Sequence, residues 1–314
     1  MLMQLAIFGL GRMGMQIAKR LHNNGFDVLA WNRSEGPRKD FENFVHSTGS
    51  GSSSGKAFAE IPTLIEQMSE NPRVFWLMLP HETVSDFLKD HLNQFLKPGD
   101  IVIDGGNSFY KDSIARAELY KASGIYFYDC GTSGGVWGFA NGFGLMIGGD
   151  KQQWPKIEPI FKTLSSGESY GLVGNSGAGH FVKMVHNGIE YGMMEAIAEG
   201  FGVLEASHFN LDLKQVSNIY RQKGTVISSW LMDLTSIVFE KEDIASTKGE
   251  IAATGEGEWT INAAKELGID VRVIEDSLRV RKESNDPKTW QKFSNKLVAL
   301  LRKQFGGHGV ESNK

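Results

Sequence analysis

The apolar run Gln4–Phe8 is short enough for a buried strand and stops at a glycine turn. From Met13 to Asn24 the apolar positions Met13, Ile17, Ala18 and Leu21 recur at helical spacing, and Gly25 follows as a C-cap. Phe26–Trp31 reads as a second strand, which completes one β-α-β unit. Further strand-like runs are Val74–Leu79, closed by Pro80, and Ile101–Ile103, closed by Asp104-Gly105-Gly106. Two more lie near Tyr126–Tyr128 and Leu145–Ile147, and helical patterns near Ile61–Met68 and Thr83–Phe95. This alternation predicts an α/β fold, an N-terminal Rossmann-type, doubly wound parallel sheet with helices on both faces.

Beyond Asn175 strand-like runs become scarce. Ala178–Ser207 reads as one long helix, in which Gly188, Gly192, Gly200 and Gly202 lower the helical propensity and permit close packing. The expected division is a dinucleotide-binding domain over residues 1–175 and an all-α domain for substrate and oligomerisation over 176–314. The run Ser47–Gly55 reads as a flexible surface loop or an insertion with no chemistry of its own.

Composition narrows the function classes. A formal net charge of −4 argues against non-specific nucleic-acid binding, while leaving anionic small substrates open. The single cysteine, Cys130, excludes an intrachain disulfide and fits a reducing compartment. The N-terminus lacks a basic n-region and no stretch is apolar for long enough to span a bilayer, so a cytoplasmic protein is expected. No His/Cys spacing points to a metal, and none is expected.

Gly9-Leu10-Gly11-Arg12-Met13-Gly14 matches G-x-G-x-x-G between a strand and a helix, with a second strand following on time. Gly9 permits the tight turn, Gly11 the approach of a pyrophosphate and Gly14 the packing of helix on strand. The helix N-terminus supplies N–H groups and a favourable dipole for the anion. The second strand ends in Asn32-Arg33-Ser34, where NAD sites usually carry an acid for the ribose hydroxyl. An arginine here suits a 2′-phosphate, so NADP is favoured and NAD is kept as the alternative. Leu79, ending the Val74–Leu79 run, is counted with the cofactor residues.

Lys183, His186, Asn187 and Glu190 fall at i, i+3, i+4 and i+7, so one helix face carries an amine, an imidazole, an amide and a carboxyl. The stripe starts near the expected domain junction, where clefts form. Asp104-Gly105-Gly106-Asn107-Ser108 and Gly131-Thr132-Ser133-Gly134-Gly135 follow successive strands, at the sheet edge where open α/β sheets bind ligands.

With these motifs the chain resembles the 6-phosphogluconate dehydrogenases of the β-hydroxyacid dehydrogenase superfamily, over nearly its whole length. The specific residues are the glycine loop, Asn32–Ser34, Asp104–Ser108, Ser133-Gly134-Gly135, Lys183–Tyr191 and the C-terminal run Arg302–His308. The length and Gly135-Val136-Trp137-Gly138 are similar to the short-chain branch. The resemblance implies Lys183 as general base and Glu190 as general acid. It implies Asn107, Ser133, Gly134, Gly135, His186, Asn187 and Tyr191 as sugar-acid contacts, with Asn107 also at the cofactor, and Arg281 on the phosphate. It further implies a homodimer or homotetramer in which Arg302 and His308 reach the substrate of a neighbouring subunit.

One departure stands out. Where longer members carry Lys-Gly-Thr-Gly, this chain has Thr254-Gly255-Glu256-Gly257, and a glutamate near a phosphate is unfavourable unless it points away or meets an arginine.

The implied reaction is oxidation of 6-phosphogluconate at C3, loss of carbon dioxide and protonation at C1 to give ribulose 5-phosphate, a step of the pentose phosphate pathway. Two other functions stay open. A β-hydroxyacid dehydrogenase for a small unphosphorylated acid would keep Lys183 and Asn187 but would not need His186, Glu190 and Tyr191. A non-catalytic dinucleotide sensor would need only the glycine loop.

Overall fold

The computed structural model describes residues 3–48, 54–69, 72–252 and 255–311. The chain divides into two compact units, Met1–Lys183 and Met184–Lys314.

The first unit is built on eight strands: β1 (Gln4–Phe8), β2 (Asp27–Trp31), β3 (Gly55–Phe58), β4 (Val74–Leu77), β5 (Ile101–Asp104), β6 (Tyr126–Ser133), β7 (Phe143–Gly148) and β8 (Ser165–Gly174). They form one sheet in the order β3-β2-β1-β4-β5-β6-β7-β8, parallel throughout except where β6 meets β7. The chain order reverses direction at β1, which lies between β2 and β4, so the crevice beyond these strands is the expected ligand edge.

The central strands are buried on both faces, and the two-residue period of a strand explains how they serve two cores. Leu5, Ile7, Val74, Trp76, Ile101 and Ile103 enter one apolar cluster. Their neighbours Ala6, Phe8, Phe75, Leu77 and Val102 enter the other. Continuous apolar runs rather than alternation are what such doubly covered strands require. Each fully buried Leu, Ile or Phe stabilises the unit by about 1.5–3 kcal/mol.

Two edge strands were not expected. β3 opens within the run read as a loop, and β8 is Ser/Gly-rich with few buried positions, so neither carries an apolar signal. Ser47 and Thr48 end a helix, Glu35–Thr48, and Ser54-Gly55 leads into β3; the centre of the expected loop, residues 49–53, lies outside the described residues. The helical stretch expected at Thr83–Phe95 is a helix at His81–Phe87 that widens into a π turn at Leu88–Leu92.

One helix, Ala178–Glu205, runs through the division between the units. The second unit has no strand among its described residues. Its other helices are Leu213–Tyr220, Trp230–Lys241, Glu256–Leu267, Arg272–Glu283 and Phe293–Gly306. Its core joins Met194, Ala198 and Phe201 to Leu231, Met232, Leu234, Val238, Ile261, Leu278 and Leu297–Leu301. The architecture is therefore a Rossmann-type sheet unit followed by an all-α unit. No helix among the described residues is long and apolar enough to cross a membrane.

Candidate active site

The glycine loop has the shape its sequence predicts. Gly9 adopts φ +104°, in the left-handed region that favours glycine, and a side chain there would strike the Met78 carbonyl. Its N–H donates to Trp31 O at 2.8 Å, tying the turn to β2. A Cβ at Gly14 would strike Gly9 O, so the helix Arg12–Asn23 lies directly on the loop, whereas nothing stands within 4 Å of the Cβ position of Gly11. Gly11 caps this helix without a side chain, and no acid occupies the first turn, which holds Arg12, Met13 and Gly14. No carboxylate of the helix's own first turn therefore competes for its N-terminal N–H groups and dipole. This cradle, closed to any Cβ at Gly9 and Gly14, fits a dinucleotide pyrophosphate.

Asn32 is turned toward the loop: its Oδ1 accepts the Leu10 N–H at 2.9 Å and its Nδ2 donates to Ser34 O at 3.1 Å. Arg33 and Ser34 are exposed. Arg38, which the sequence pattern did not single out, donates to Asn32 O at 2.7 Å and Arg33 O at 3.0 Å. A second guanidinium therefore stands at the end of β2.

Three strand-end loops meet at Leu79. A Cβ at Gly9 would lie 3.2 Å from Leu79 Cδ2, and one at Gly106 2.6 Å from Leu79 O. The loop carrying Asn107 is held by Asp104, which is fully buried and accepts from Gly106 N at 3.1 Å, Ser108 Oγ at 2.7 Å and Arg116 Nη1 at 3.1 Å. Asn107 itself is exposed at the loop tip.

β6 positions the lysine. Asp129, Gly131 and Ser133 share one strand face. Asp129 accepts the Gly177 N–H at 2.5 Å and the His180 N–H at 2.7 Å, which caps the long helix. Burial pushes the Asp129 carboxyl upward, opposed by His180 and these two N–H groups. Ser113 Oγ holds His180 Nδ1 at 2.7 Å. Gly131, two residues along β6, leaves room for the Lys183 stem, and Gly179 packs on the backbone of Asp129, Met146 and Gly148. Ser133 ends β6, and Gly134 and Gly135 follow at φ +133° and +55°.

In the second unit the long helix brings polar groups against its neighbours. His186 Nδ1 lies 3.0 Å from Asn187 Oδ1 and 3.9 Å from Glu190 Oε2. Asn187 Nδ2 donates to Glu256 Oε1 at 2.9 Å. The Arg281 guanidinium stacks 3.2 Å over the Tyr191 ring. Arg281 is 1% exposed, Tyr191 3% and Arg302 5%, so two guanidinium groups share a buried environment. Burial lowers the pKa of both, and the charges of Tyr191, Glu190 and Glu256 raise it. Arg281 Nε and Nη2 and the Tyr191 hydroxyl have no hydrogen-bond partner among the described residues. Donors left unsatisfied in a buried place suit an anionic, hydroxylated ligand.

Glu256 therefore meets both an amide and the field of two arginines; Thr254 lies outside the described residues. Glu195, one turn past Tyr191, is also buried, and burial pushes its carboxyl up to about 7, opposed by Arg281 and reinforced by Glu199. His308 folds back against Gly306 of its own tail. Asp129 and Glu195 escaped the sequence pattern because a single acid inside an apolar run reads as an interruption, and Asp104 reads there only as the start of a glycine turn; the clue was the isolated charge itself.

Comparison with known proteins agrees along the whole chain. A family model described as the NAD binding domain of 6-phosphogluconate dehydrogenase matches residues 4–174, and one for the 6-phosphogluconate dehydrogenase C-terminal domain matches residues 179–312. A Bacillus subtilis (strain 168) chain, YqeC, is 38% identical over 98% of this chain and 99% of its own. A Haloferax volcanii protein named as an NAD(+)-dependent, decarboxylating 6-phosphogluconate dehydrogenase is 36% identical over 98% of each chain. Plasmodium falciparum 6-phosphogluconate dehydrogenase, solved apo, with NADP+ and with 6-phosphogluconate, is similar at a TM-score of 0.82 and 26% identity. It is matched over 90% of this chain and 62% of its own, so this chain spans less than two thirds of its length. The chain belongs to the 6-phosphogluconate dehydrogenase family.

Proposed function

We propose that this oxidoreductase converts 6-phospho-D-gluconate to D-ribulose 5-phosphate and carbon dioxide while reducing NADP. The observation that carries the substrate is the polar set around the long helix, with Asn187, Tyr191, Arg281 and Arg302 buried and His186 partly exposed. His186, Asn187 and Tyr191 offer hydroxyl-binding groups, and Arg281 and Arg302 offer buried positive charge for a phosphate. A small unphosphorylated acid has no use for two buried arginines. The choice of NADP is supported by Arg33 and Arg38 at the end of β2.

A bound nicotinamide cofactor, its pyrophosphate held by the loop Gly9–Gly14, would supply the hydride acceptor for C3. Lys183, acting as a neutral amine, takes the proton of the C3 hydroxyl, with its stem resting half-buried on Gly131. The β-keto acid then loses carbon dioxide, and the lysine, now protonated, stabilises the charge developing on the C3 oxygen. Glu190, two turns further along the helix, delivers the proton to C1. Asn107, Ser133, Gly134 and Gly135 are the sugar-acid contacts on the sheet unit.

The chain works as a homo-oligomer in the cytoplasm. Exposed Phe209, Ile219, Val226, Ile227 and Trp230 on the helical unit support association. The resemblance implies that Arg302 serves a neighbouring subunit. The helix that carries it is packed through Leu297, Val298, Leu300 and Leu301 into its own unit, which supports service within the same chain unless that helix is exchanged.

The deciding experiment mixes purified protein with 6-phosphogluconate and NADP and follows reduced nicotinamide and released carbon dioxide. Equimolar release, absent with gluconate and 3-hydroxyisobutyrate, is expected. Lys183→Ala should lower turnover by about 10²–10⁴-fold. Turnover of an unphosphorylated acid in place of 6-phosphogluconate would overturn the substrate.

A further inference from the structure

Glu256 is the first residue of its helix and is 6% exposed. Two close approaches bring it to the long helix. A Cβ at Gly188 would stand 2.8 Å from Thr260 Cγ2, and one at Gly257 would stand 2.7 Å from Tyr191 Cε2. The Thr260 hydroxyl, 2.8 Å from both Met184 O and Glu256 O, pins the crossing. Glu256 Oε1 thereby reaches Asn187 Nδ2 at 2.9 Å.

The amide of asparagine looks nearly the same with its nitrogen and oxygen exchanged, so its orientation is decided by its partners. A carboxylate only accepts hydrogen bonds. The group that Asn187 turns to Glu256 is therefore its NH₂, and its carbonyl faces His186 Nδ1 at 3.0 Å. A carbonyl also only accepts, so the imidazole carries hydrogen on Nδ1, and in the neutral ring the lone pair is then on Nε2. Glu190 Oε2, 3.9 Å from the same nitrogen, is beyond hydrogen-bond range, so the closer acceptor is Asn187 Oδ1.

We propose that Glu256 is a positioning residue that sets the tautomer of His186 through the amide of Asn187, so that His186 meets the sugar acid as a hydrogen-bond acceptor at Nε2. The inference rests on the reading of His186 as a substrate contact. An acceptor at Nε2 takes the hydrogen of a substrate hydroxyl and disfavours a carboxylate or phosphate oxygen, which the opposite tautomer would admit as well. Without Glu256 the Asn187 amide loses the acceptor that orients its NH₂, and an amide turned over presents NH₂ to Nδ1, which reverses the imidazole.

The test needs no substrate. In ¹⁵N-histidine-labelled protein, two-bond ¹H–¹⁵N correlations report which ring nitrogen is protonated, and loss of one signal in His186→Gln identifies it among the eight histidines. The wild type should show Nδ1–H. Glu256→Ala should move His186 toward Nε2–H, and Glu256→Gln, which retains an acceptor of the same reach, should restore most of the Nδ1–H form. In kinetics, Glu256→Ala should lower kcat/KM for 6-phosphogluconate by about ten- to a hundredfold, mainly through KM, with recovery in Glu256→Gln. The proposal is overturned by Nε2–H in the wild type, by a folded Glu256→Ala that keeps Nδ1–H, or by a Gln variant as impaired as the Ala variant. If the tautomer follows Glu256 but the wild type ignores 6-phosphogluconate, the relay stands and the proposed substrate falls.

Discussion

Gly131 and Lys183 are packed so closely that position 131 has no room for a side chain: a Cβ there would stand 3.0 Å from Lys183 Cγ and 2.8 Å from Gly179 O. The strand backbone thus serves as the floor on which the lysine stem rests, and the geometry of the proposed base is set by a residue with no chemistry of its own. Gly131→Ala should push the stem away. Turnover should fall on the order of a hundredfold, as for a catalytic group misplaced by about 1 Å. Affinity for the dinucleotide, measured by fluorescence titration, should hold.

Arg33 and Arg38 give a direct handle on the cofactor. Arg33→Ala should raise KM for NADP by at least about tenfold, the worth of one charge-assisted contact, and leave KM for NAD nearly unchanged. Arg38 also holds the backbone of Asn32 and Arg33, so Arg38→Ala should impair both cofactors, NADP more. A wild type that prefers NAD would remove the 2′-phosphate role from Arg33 and leave the glycine loop untouched.

Glu195 predicts a pH dependence of stability. Its folded pKa of about 7 lies above the ordinary 4.5, because burial opposes the charged form. Below pH 4.5 both folded and unfolded chains hold this proton. Between 4.5 and 7 the unfolded chain releases it first, so stability falls as pH rises, and levels off above 7. The ceiling on this loss is about 3 kcal/mol. Glu195→Gln should therefore raise Tm at pH 8 relative to the wild type, with the gain vanishing toward pH 4.5. Calorimetry at the two pH values checks it, and an equal effect at both would assign the change to packing instead.

Arg302 can be assigned to its own or a neighbouring chain by complementation. Lys183→Ala and Arg302→Ala proteins, each inactive, are mixed, unfolded together and refolded. Service within one chain predicts no activity beyond that of the parents. Recovery of about a quarter of wild-type activity, as random pairing of dimers would give if one arginine serves the other chain's site, would show that the helix Phe293–Gly306 is exchanged.

The parts of this fold that were legible in the sequence are those where one local pattern carries the information. The β1 run, the glycine loop and the helical spacing of Lys183, His186, Asn187 and Glu190 are of this kind. What escaped depends on partners far along the chain. β8 is a polar edge strand recognisable only by the strand it pairs with. Glu256 stood out in the sequence as a threat to a phosphate, whereas in the structure it is the anchor of Asn187. The role of Asp129 as a cap becomes visible only when Gly177 and His180 lie above β6.

The bond between Asn187 and Glu256 joins positions 69 residues apart. On the ribosome, chains emerge from the N-terminus and domains tend to fold in that order. The sheet, complete at Gly174, can therefore close around its glycine loop while the helical unit is still being synthesised. His186 and Asn187 emerge early yet remain without their anchor until Glu256 follows, and Arg302 arrives later still. A nascent chain is thus equipped to hold a nucleotide well before it can recognise a sugar acid.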